Sequence, residues 1–390
     1  MPEVTESEGV LRAARSLRPL LRSHADEIEE QRRLSSAVIT ALDDIGAFHL
    51  QTARELGGLG SDLINYLKVI EELSRGDASS GWCAMVASES GACINAYLER
   101  EVAAQLLTTT NPARAALTVV GNGRARQSGE QYEINGRWRF ASGCRHSQWL
   151  GALCHVEDAD GNPLKGTGGR PRTVVCFVEA EQAQILDTWH VSGLKGTASD
   201  DFVLNDVIVP QTHACDLFGS PVDPAPTWKI PTGLRLAMSK AAAVLGIVRG
   251  AMDAALPLLE RTPFAGAVPA REEARVQVRL AQAEAAIEGG RAYLYSAIEN
   301  TIEVSRDRDP PLDRAEIAAT RLAIVNAAHQ SQKAMTILQE VTGTGAVLDT
   351  ALDRGARDLN VASRHMQLQP HILEDAGRVL LGMSPKNPLF

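Results

Sequence analysis

Apolar residues recur at helical spacing through the first third of the chain. A first pattern lies between Leu11 and Leu21, and a second opens at Ser35, whose hydroxyl suits a helix N-cap. Two further patterns cover residues 61–74 and 82–101, after a glycine-rich turn at 57–60. This part of the chain is therefore predicted to be helical.

The middle third has a different pattern of short, β-prone runs separated by turn residues. Thr173–Val178 and Phe202–Val209 are rich in β-branched and aromatic residues, and Asn135-Gly136 is a turn signal. We therefore expect a β domain between Ala115 and Pro210.

Long helical periods return after a proline-rich stretch at 221–231. They cover 237–259, 271–304 and 313–341, and their length and Ala/Leu content suit a helical bundle. The predicted fold is α+β, mainly α, with an N-terminal helical domain at 1–114, a central β domain at 115–220 and a C-terminal helical bundle at 221–390.

Composition and charge disfavour several classes of protein function. The 390 residues are 44% hydrophobic and 22% charged, as in ordinary globular proteins. A net charge of -9 disfavours nucleic-acid binding, which needs a basic surface. The acidic start at Met1–Glu6 and the lack of an apolar run of about 20 residues predict a cytoplasmic protein without a membrane span. Six irregularly spaced cysteines suggest buried, reduced thiols and no metal site.

Two polar clusters are candidates for chemistry. Residues 138–149 combine Ser142 and His146 with aromatic side chains, the mixture that binds organic cofactors. Arg357-Asp358 precedes His365 by about two helical turns. From spacing alone, residues 138–149 could equally well be a strand end with structural aromatic residues. A single histidine such as His365 is also more often structural than catalytic. The sequence lacks GxGxxG, GxSxG and HExxH motifs.

The order of several motifs resembles the acyl-CoA dehydrogenase superfamily over nearly the whole chain. Residues 132–142 look like its flavin-contacting strand, which ends in the hydroxyl of Ser142. The segment 193–210 resembles the end of its β domain, Arg261-Thr262-Pro263-Phe264 its Arg-x-x-Phe, and Arg357-Asp358 its late Arg-Asp pair. The resemblance implies the acyl-CoA dehydrogenase fold, with a β-barrel-like central domain, a C-terminal four-helix bundle and a homotetramer.

The chain departs from the dehydrogenases at the base that removes a substrate proton. Neither region that carries this carboxylate, here 362–367 and 234–238, contains Asp or Glu. Residues 140–149 together with His365 instead resemble the flavin-dependent monooxygenases of this fold, such as the oxygenase component of p-hydroxyphenylacetate hydroxylase. The related helix at 79–86 is followed by Ser88-Glu89-Ser90 where those enzymes often carry a histidine.

This resemblance implies a two-component oxygenase. A separate reductase would supply reduced FMN or FAD, and molecular oxygen would form a flavin C4a-hydroperoxide that hydroxylates an aromatic or phenolic small molecule. Ser142 would meet the flavin near N5, His365 would deprotonate the substrate, and His146 would line the same cavity. The further cofactor-binding residues would be Trp138, Thr197, Ser199 and, for the flavin phosphates of a neighbouring subunit, Arg261.

Three alternatives stay open at this stage. The chain could oxygenate nitrogen or sulfur, it could be an acyl-CoA dehydrogenase with a relocated base, or it could be a noncatalytic oligomer that kept the fold. The oxygenase interpretation rests on an imidazole and a hydroxyl facing the flavin, with no acidic side chain beside them.

Overall fold

The computed structural model describes residues 6–108, 113–166, 169–262, 268–306, 308, 312–348 and 350–387. Its amino-terminal part is helical, as predicted. The helices are α1 (Glu6–Ser23), α2 (Ala25–Gln31), α3 (Ser36–Asp44), α4 (Leu63–Gly76), α5 (Ala78–Tyr97) and α6 (Arg100–Thr108). Ser35 caps α3 by accepting a hydrogen bond from the Val38 amide, which confirms the predicted N-cap.

Within the described residues, the central part forms one mixed sheet of seven strands. The strands are β1 (Ala115–Ser128), β2 (Gln131–Ala141), β3 (Trp149–Glu157), β4 (Thr173–Glu179), β5 (Gln184–Leu186), β6 (Asp200–Pro210) and β7 (Ala214–Cys215). Their order is β5-β6-β2-β1-β3-β4-β7, so the expected barrel-like domain is a sheet with β5 and β7 at its edges. The β1–β3 pair is parallel and the other pairs are antiparallel.

The carboxyl-terminal part contains the predicted long helices. They are α7 (Thr232–Leu258), α8 (Ala274–Arg306), α9 (Arg314–Thr342), α10 (Ala351–Ala362) and α11 (His371–Leu380). Asp313 and Glu316 form a reciprocal capping box at the start of α9. By length and composition α7 could cross a membrane, but 61% of its most apolar window is buried within the protein, as in the core helix of a globular fold.

The helical parts at the two ends of the chain share one hydrophobic core. Side chains from α1, α4 and α5 pack with those of α7 to α10 in a single apolar cluster, while the sheet has a separate cluster around Trp138 and Phe202. The boundaries at 114 and 220 fall where helices give way to strands and strands to helices. We propose residues 114 and 220 as the limits of three segments of the chain. The two helical segments do not have separate cores, because they bury their apolar faces against each other.

Candidate active site

A cavity of about 440 Å³ lies where the sheet meets the two helical parts. Its walls are mainly apolar, and it contains three of the predicted site residues, Ser142, Ser199 and His365. This volume and an apolar lining with a few polar groups are typical of small-molecule sites.

Helix α5 supplies one wall of the cavity. Trp82, Val86, Glu89, Ser90 and Cys93 line it, and their spacing of three to four residues places them along one side of the helix. Asp77 is the N-cap of the helix, and its carboxylate accepts a hydrogen bond from the Ser80 amide at 2.7 Å. This cap fixes the start of the helix one turn before Trp82.

The Ser142 hydroxyl lies in a connected set of hydrogen bonds at the end of β2. It receives a hydrogen bond from Trp82 Nε1 at 3.2 Å and lies 2.6 Å from Ser199 Oγ. Ser199 Oγ is in turn 2.7 Å from Thr197 Oγ1, which donates to the Leu194 carbonyl at 2.8 Å. The structure thus brings Ser142, Ser199 and Thr197 together, although Thr197 is fully buried behind the cavity wall.

The turn that carries Thr197 and Ser199 is held by the late Arg-Asp pair. Asp358 on α10 accepts a 2.6 Å hydrogen bond from the Leu194 amide, and Arg357 donates to the Ser192 carbonyl at 2.8 Å. Burial is the main cause that raises the pKa of Asp358, to about 7. A Cβ on Gly193 would lie 2.2 Å from the Arg357 carbonyl oxygen, so this close approach requires glycine.

His365 faces the cavity from the segment that follows α10. Its Nδ1 accepts a hydrogen bond from the Gln367 amide at 3.3 Å, so in the neutral ring the proton lies on Nε2. Burial, with a smaller effect from the Lys240 charge, lowers the pKa of His365 to about 3. The ring is therefore neutral near pH 7 and presents the Nε2–H to the cavity. Because neither ring nitrogen then has a free lone pair, this arrangement disfavours the predicted role of removing a phenol proton.

Glu89 corrects the expectation of a cavity without a carboxylate. Its side chain lines the cavity beside Lys240, whose Nζ lies 2.5 Å from Glu89 Oε2, and both side chains are buried. Ser239 donates to the other carboxylate oxygen. Because both oxygens are engaged and one is ion-paired, this carboxylate is poorly placed to act as the base of a dehydrogenase.

Trp138 lies outside the cavity lining, so this geometry gives no support to its predicted role in cofactor binding, which stays a prediction. The ring stacks on Phe202 with centroids 5.2 Å apart, and Nε1 donates to the Leu153 carbonyl at 2.7 Å inside the sheet core. Phe140 lines the cavity instead. The β2–β6 pairing shifts register between Trp138 and Ala141, and Phe140 has φ of 62°, so the two aromatics point to different environments.

His146 also lies outside the cavity lining, contrary to expectation. Its ring packs 5.7 Å from the Phe48 ring, and burial, aided by the charge of Arg114, lowers its pKa to about 3. Arg261 follows α7 and is exposed. Pro263 and Phe264 of its motif lie outside the described residues.

The site contains residues that sequence motifs did not reveal. Trp82 joins the two predicted groups, because it donates to Ser142 and its ring lies 5.9 Å from the His365 ring in an edge-on contact. Glu89 carried one signal, since it is the single charged residue among the 20 of α5. A charge on an otherwise uncharged, buried helix needs a partner and indicates a functional or structural ion pair.

The cavity suits the ring system of a flavin. Phe140, Leu117 and Val119 offer apolar surfaces, and the hydroxyls of Ser142 and Ser199 offer hydrogen bonds at one side. A planar aromatic ring with polar edge atoms requires this combination. Ser142 and Ser199 would hold the ring edge, and Phe140 would contact its face.

Comparison with known families agrees with this geometry. Residues 10–110 match the model of the acyl-CoA dehydrogenase N-terminal domain, and residues 238–370 match that of the acyl-CoA dehydrogenase C-terminal domain. The two matches together cover more than half of the chain, and the predicted fold is confirmed.

Two known proteins of similar sequence are named as a monooxygenase and as an FADH(2)-dependent hydroxylase. The chain is 28% identical to indole-3-acetate monooxygenase of Pseudomonas putida, over 93% of this chain and 91% of that protein. It is 28% identical to the oxygenase component of FADH(2)-dependent resorcinol hydroxylase of Rhizobium sp., over 94% and 92%. The structure of XiaF from Streptomyces sp., in complex with FADH2 and glycerol, superposes with a TM-score of 0.88 at 22% identity, over 98% of this chain and 97% of that one. The predicted resemblance to the monooxygenase branch is confirmed.

Proposed function

Since this chain belongs to the acyl-CoA dehydrogenase family, we propose that it is the oxygenase component of a two-component flavin-dependent monooxygenase that hydroxylates an aromatic or phenolic small molecule. Reduced FMN or FAD is its cofactor and molecular oxygen its co-substrate. Bound reduced flavin supplies the activation of oxygen. The chain supplies the cavity, the orientation of the ring and the exclusion of water.

One observation carries this proposal. Trp82 connects the Ser142 hydroxyl, 3.2 Å from its Nε1, to the His365 ring, 5.9 Å from its own ring, at one apolar cavity. A hydroxyl at the end of β2 and an imidazole after α10 thus face one chamber. This arrangement supports oxygen chemistry on an aromatic ring, and the acyl-CoA dehydrogenase alternative loses support because the nearby carboxylate of Glu89 is already paired with Lys240.

Ser142, Ser199 and Thr197 would set the hydrogen bonding at the flavin edge. Thr197 donates to the Leu194 carbonyl, so the Ser199 hydroxyl can donate to Thr197 and the Ser142 hydroxyl to Ser199. Ser142 Oγ then keeps an acceptor lone pair for an N–H group of reduced flavin. In this arrangement Ser142 and Ser199 contact the cofactor and Thr197 orients them.

His365 would contact the substrate as a hydrogen-bond donor through Nε2. This differs from the proton-accepting role that the sequence suggested, because the Gln367 amide occupies Nδ1 and burial keeps the ring neutral. A donor at this position orients an oxygen atom of the substrate toward the reacting face of the flavin.

Several partner assignments follow from the oxygenase function. A separate flavin reductase and an aromatic substrate are its partners. The homotetramer, the cytoplasmic location and the contact of Arg261 with the flavin phosphates of a neighbouring subunit stay predictions. Arg261 is exposed, as an inter-subunit contact would require of the isolated chain.

Anaerobic titration with reduced FMN and with reduced FAD tests the proposal. The expected result is saturable binding of at least one reduced flavin, much weaker binding of its oxidised form, and slow return of flavin to the oxidised state after oxygen is admitted. Failure to bind either reduced flavin would refute the proposal. Reduction of tightly bound oxidised FAD by an acyl-CoA would favour a dehydrogenase, and product analysis with amine, thioether and phenol substrates would separate oxygenation at nitrogen, sulfur and carbon.

A further inference from the structure

Strand β1 leaves the regular pairing of the sheet where it forms a wall of the cavity. Residues 119–122 of β1 face the single residue Leu153 of β3, because the pairing of the two strands shifts register between Thr118 and Gly123. These residues form the β1 bulge, and its first two residues, both valines, line the cavity. Bulges are frequent beside active sites, where they redirect side chains.

Trp138 on β2 lies next to this bulge on the core side of the sheet. Across the β1–β2 pairing its partner is Gly121, which belongs to the bulge. Its indole crosses β1 to reach β3, where Nε1 donates to the Leu153 carbonyl at 2.7 Å. The indole N–H thus bonds to the β3 residue that faces the bulge, and it gives this carbonyl the donor that a buried polar group requires.

Glycine in β1 makes room for the indole ring. A Cβ on Gly121 would lie 2.6 Å from Trp138 Cδ1, and a Cβ on Gly123 would lie 2.2 Å from Trp138 Cζ2. Both distances are far inside normal contact, so the close approach of ring and strand requires glycine at these positions. The ring is fully buried and stacks on Phe202, with centroids 5.2 Å apart. The indole therefore forms a rigid support for the bulge.

The two neighbours of Trp138 in β2 hold the ends of the bulge. The Arg137 amide donates to Asn122 Oδ1 at 3.0 Å, and the Arg139 carbonyl accepts from Thr118 Oγ1 at 2.7 Å. Thr118 Oγ1 also accepts a hydrogen bond, at 3.2 Å, from the amide of the second bulge residue. Three consecutive residues of β2 thus fix the bulge at its start, its middle and its end.

We propose that Trp138 is a positioning residue for the reduced-flavin site, which it shapes from the sheet core by holding the β1 bulge in the cavity wall. Asn122 completes this support at the surface through its bond to the Arg137 amide. The inference rests on the proposed function, since it concerns a wall of the cavity assigned to the flavin. Loss of the support lets β1 shift toward regular pairing with β3, and the two valines then leave the cavity wall.

Asn122 provides a test at the surface, because it is exposed and lies outside the cavity lining. Asn122→Ala removes the acceptor of the Arg137 amide, whereas Asn122→Asp keeps a side-chain oxygen for it. In anaerobic titration Asn122→Ala should bind reduced flavin about 2- to 10-fold more weakly than the wild type, the range for loss of one neutral hydrogen bond. Asn122→Asp should keep most of the affinity. Wild-type affinity in Asn122→Ala, or equal loss in both variants, would overturn the role of this bond.

Trp138→Phe tests the support from the sheet core. It removes the donor to Leu153 and the outer part of the ring, so the amides of residues 119–122 should exchange with deuterium about tenfold faster and reduced flavin should bind about tenfold more weakly. Tyr132→Leu is the matched control, since Tyr132 is buried in the same core cluster and pairs with Gln127, away from the bulge. It should destabilise the protein without changing the exchange of 119–122 or the flavin affinity.

Circular dichroism and thermal unfolding show which variants are folded, and the Asn122 pair decides the question if Trp138→Phe is not. Wild-type exchange of residues 119–122 in folded Trp138→Phe, or the same increase in Tyr132→Leu, would overturn the inference. The exchange measurement needs no flavin. Failure of the wild type to bind reduced flavin would therefore refute the proposed function, whereas unchanged exchange would refute the support by Trp138.

Discussion

Gly193 links the cavity to the carboxyl-terminal helices, and its substitution by alanine should disturb both stability and flavin binding. A Cβ at this position would lie 2.2 Å from the Arg357 carbonyl oxygen, far inside normal contact distance. The turn would have to move away from α10, and the 2.6 Å hydrogen bond from the Leu194 amide to Asp358 would be lost. A hydrogen bond contributes about 0.5–1.5 kcal/mol, or about 1.5–3 kcal/mol to a charged acceptor, so Gly193→Ala should lower the free energy of unfolding by about 1–3 kcal/mol.

The same movement should weaken binding of reduced flavin. Ser199 and Thr197 lie on the displaced turn, and Ser199 is 2.6 Å from Ser142. Relief of the Cβ contact needs a movement of about 1 Å, which would stretch these hydrogen bonds beyond their normal range of about 2.5–3.0 Å. Loss of one such bond at about 1.4 kcal/mol corresponds to roughly tenfold weaker binding. Anaerobic titration with reduced FMN and reduced FAD measures this change, and denaturant unfolding measures the stability.

Gly377→Ala is the control for these measurements. Gly377 lies in α11, and an added Cβ would have no atom within 4 Å. Alanine in place of a helical glycine should stabilise the protein by about 0.5–1 kcal/mol, with flavin affinity unchanged. If Gly193→Ala unfolds at the wild-type denaturant concentration and binds reduced flavin equally well, the close approach of this turn to α10 does not hold the site.

Three further substitutions test individual groups. Ser142→Ala leaves Trp82 Nε1 without its acceptor and removes one of the two hydroxyl partners of Ser199, so it should destabilise the protein by about 1–3 kcal/mol. It should also speed the return of flavin to its oxidised state, with more hydrogen peroxide released. An unchanged stopped-flow trace would remove Ser142 from the proposed site. His365→Gln keeps an N–H donor, whereas His365→Ala does not. The ratio of hydroxylated product to hydrogen peroxide should therefore fall less in His365→Gln. An equal fall of this ratio in both variants would restore the proton-accepting role. Burial raises the pKa of Asp358 to about 7, so its contribution to stability is complete below the unfolded-state pKa of about 3.9 and is lost as the pH rises through 7. Asp358→Asn should remove this decline. Parallel plots of unfolding free energy against pH for the two proteins, between about pH 5 and 8, would contradict the raised pKa.

The helices and strands were predictable because their signals are local. The apolar spacing in α1, the Ser35 cap and the β-branched runs of β4 and β6 depend on neighbours a few residues away. The order of motifs identified the fold for a related reason, since each motif occupies a short stretch of sequence. Ser142 and His365 were found in this way, and both line the cavity.

The resemblance placed Trp138 at the cofactor, whereas the structure places Trp138 in the sheet core and Phe140 in the cavity lining. Trp138, Phe140 and Ser142 alternate along the sequence and would share one face of a regular strand. The register shift in the β2–β6 pairing and the positive φ of Phe140 break that alternation, so Trp138 enters the sheet core and Phe140 faces the cavity. A local pattern carries no information about an irregularity that depends on the pairing with another strand.

The sequence by itself determined the class of each element and, through its motifs, three of the groups at the cavity, since both depend on short stretches of the chain. Only the tertiary structure paired Lys240 with Glu89, which are 151 positions apart, and only it placed the Gln367 amide on His365 Nδ1. These contacts fix charge and proton position, because burial and hydrogen-bond partners set the ionisation of a side chain. The chemistry available to the cavity was therefore decided by packing between distant helices.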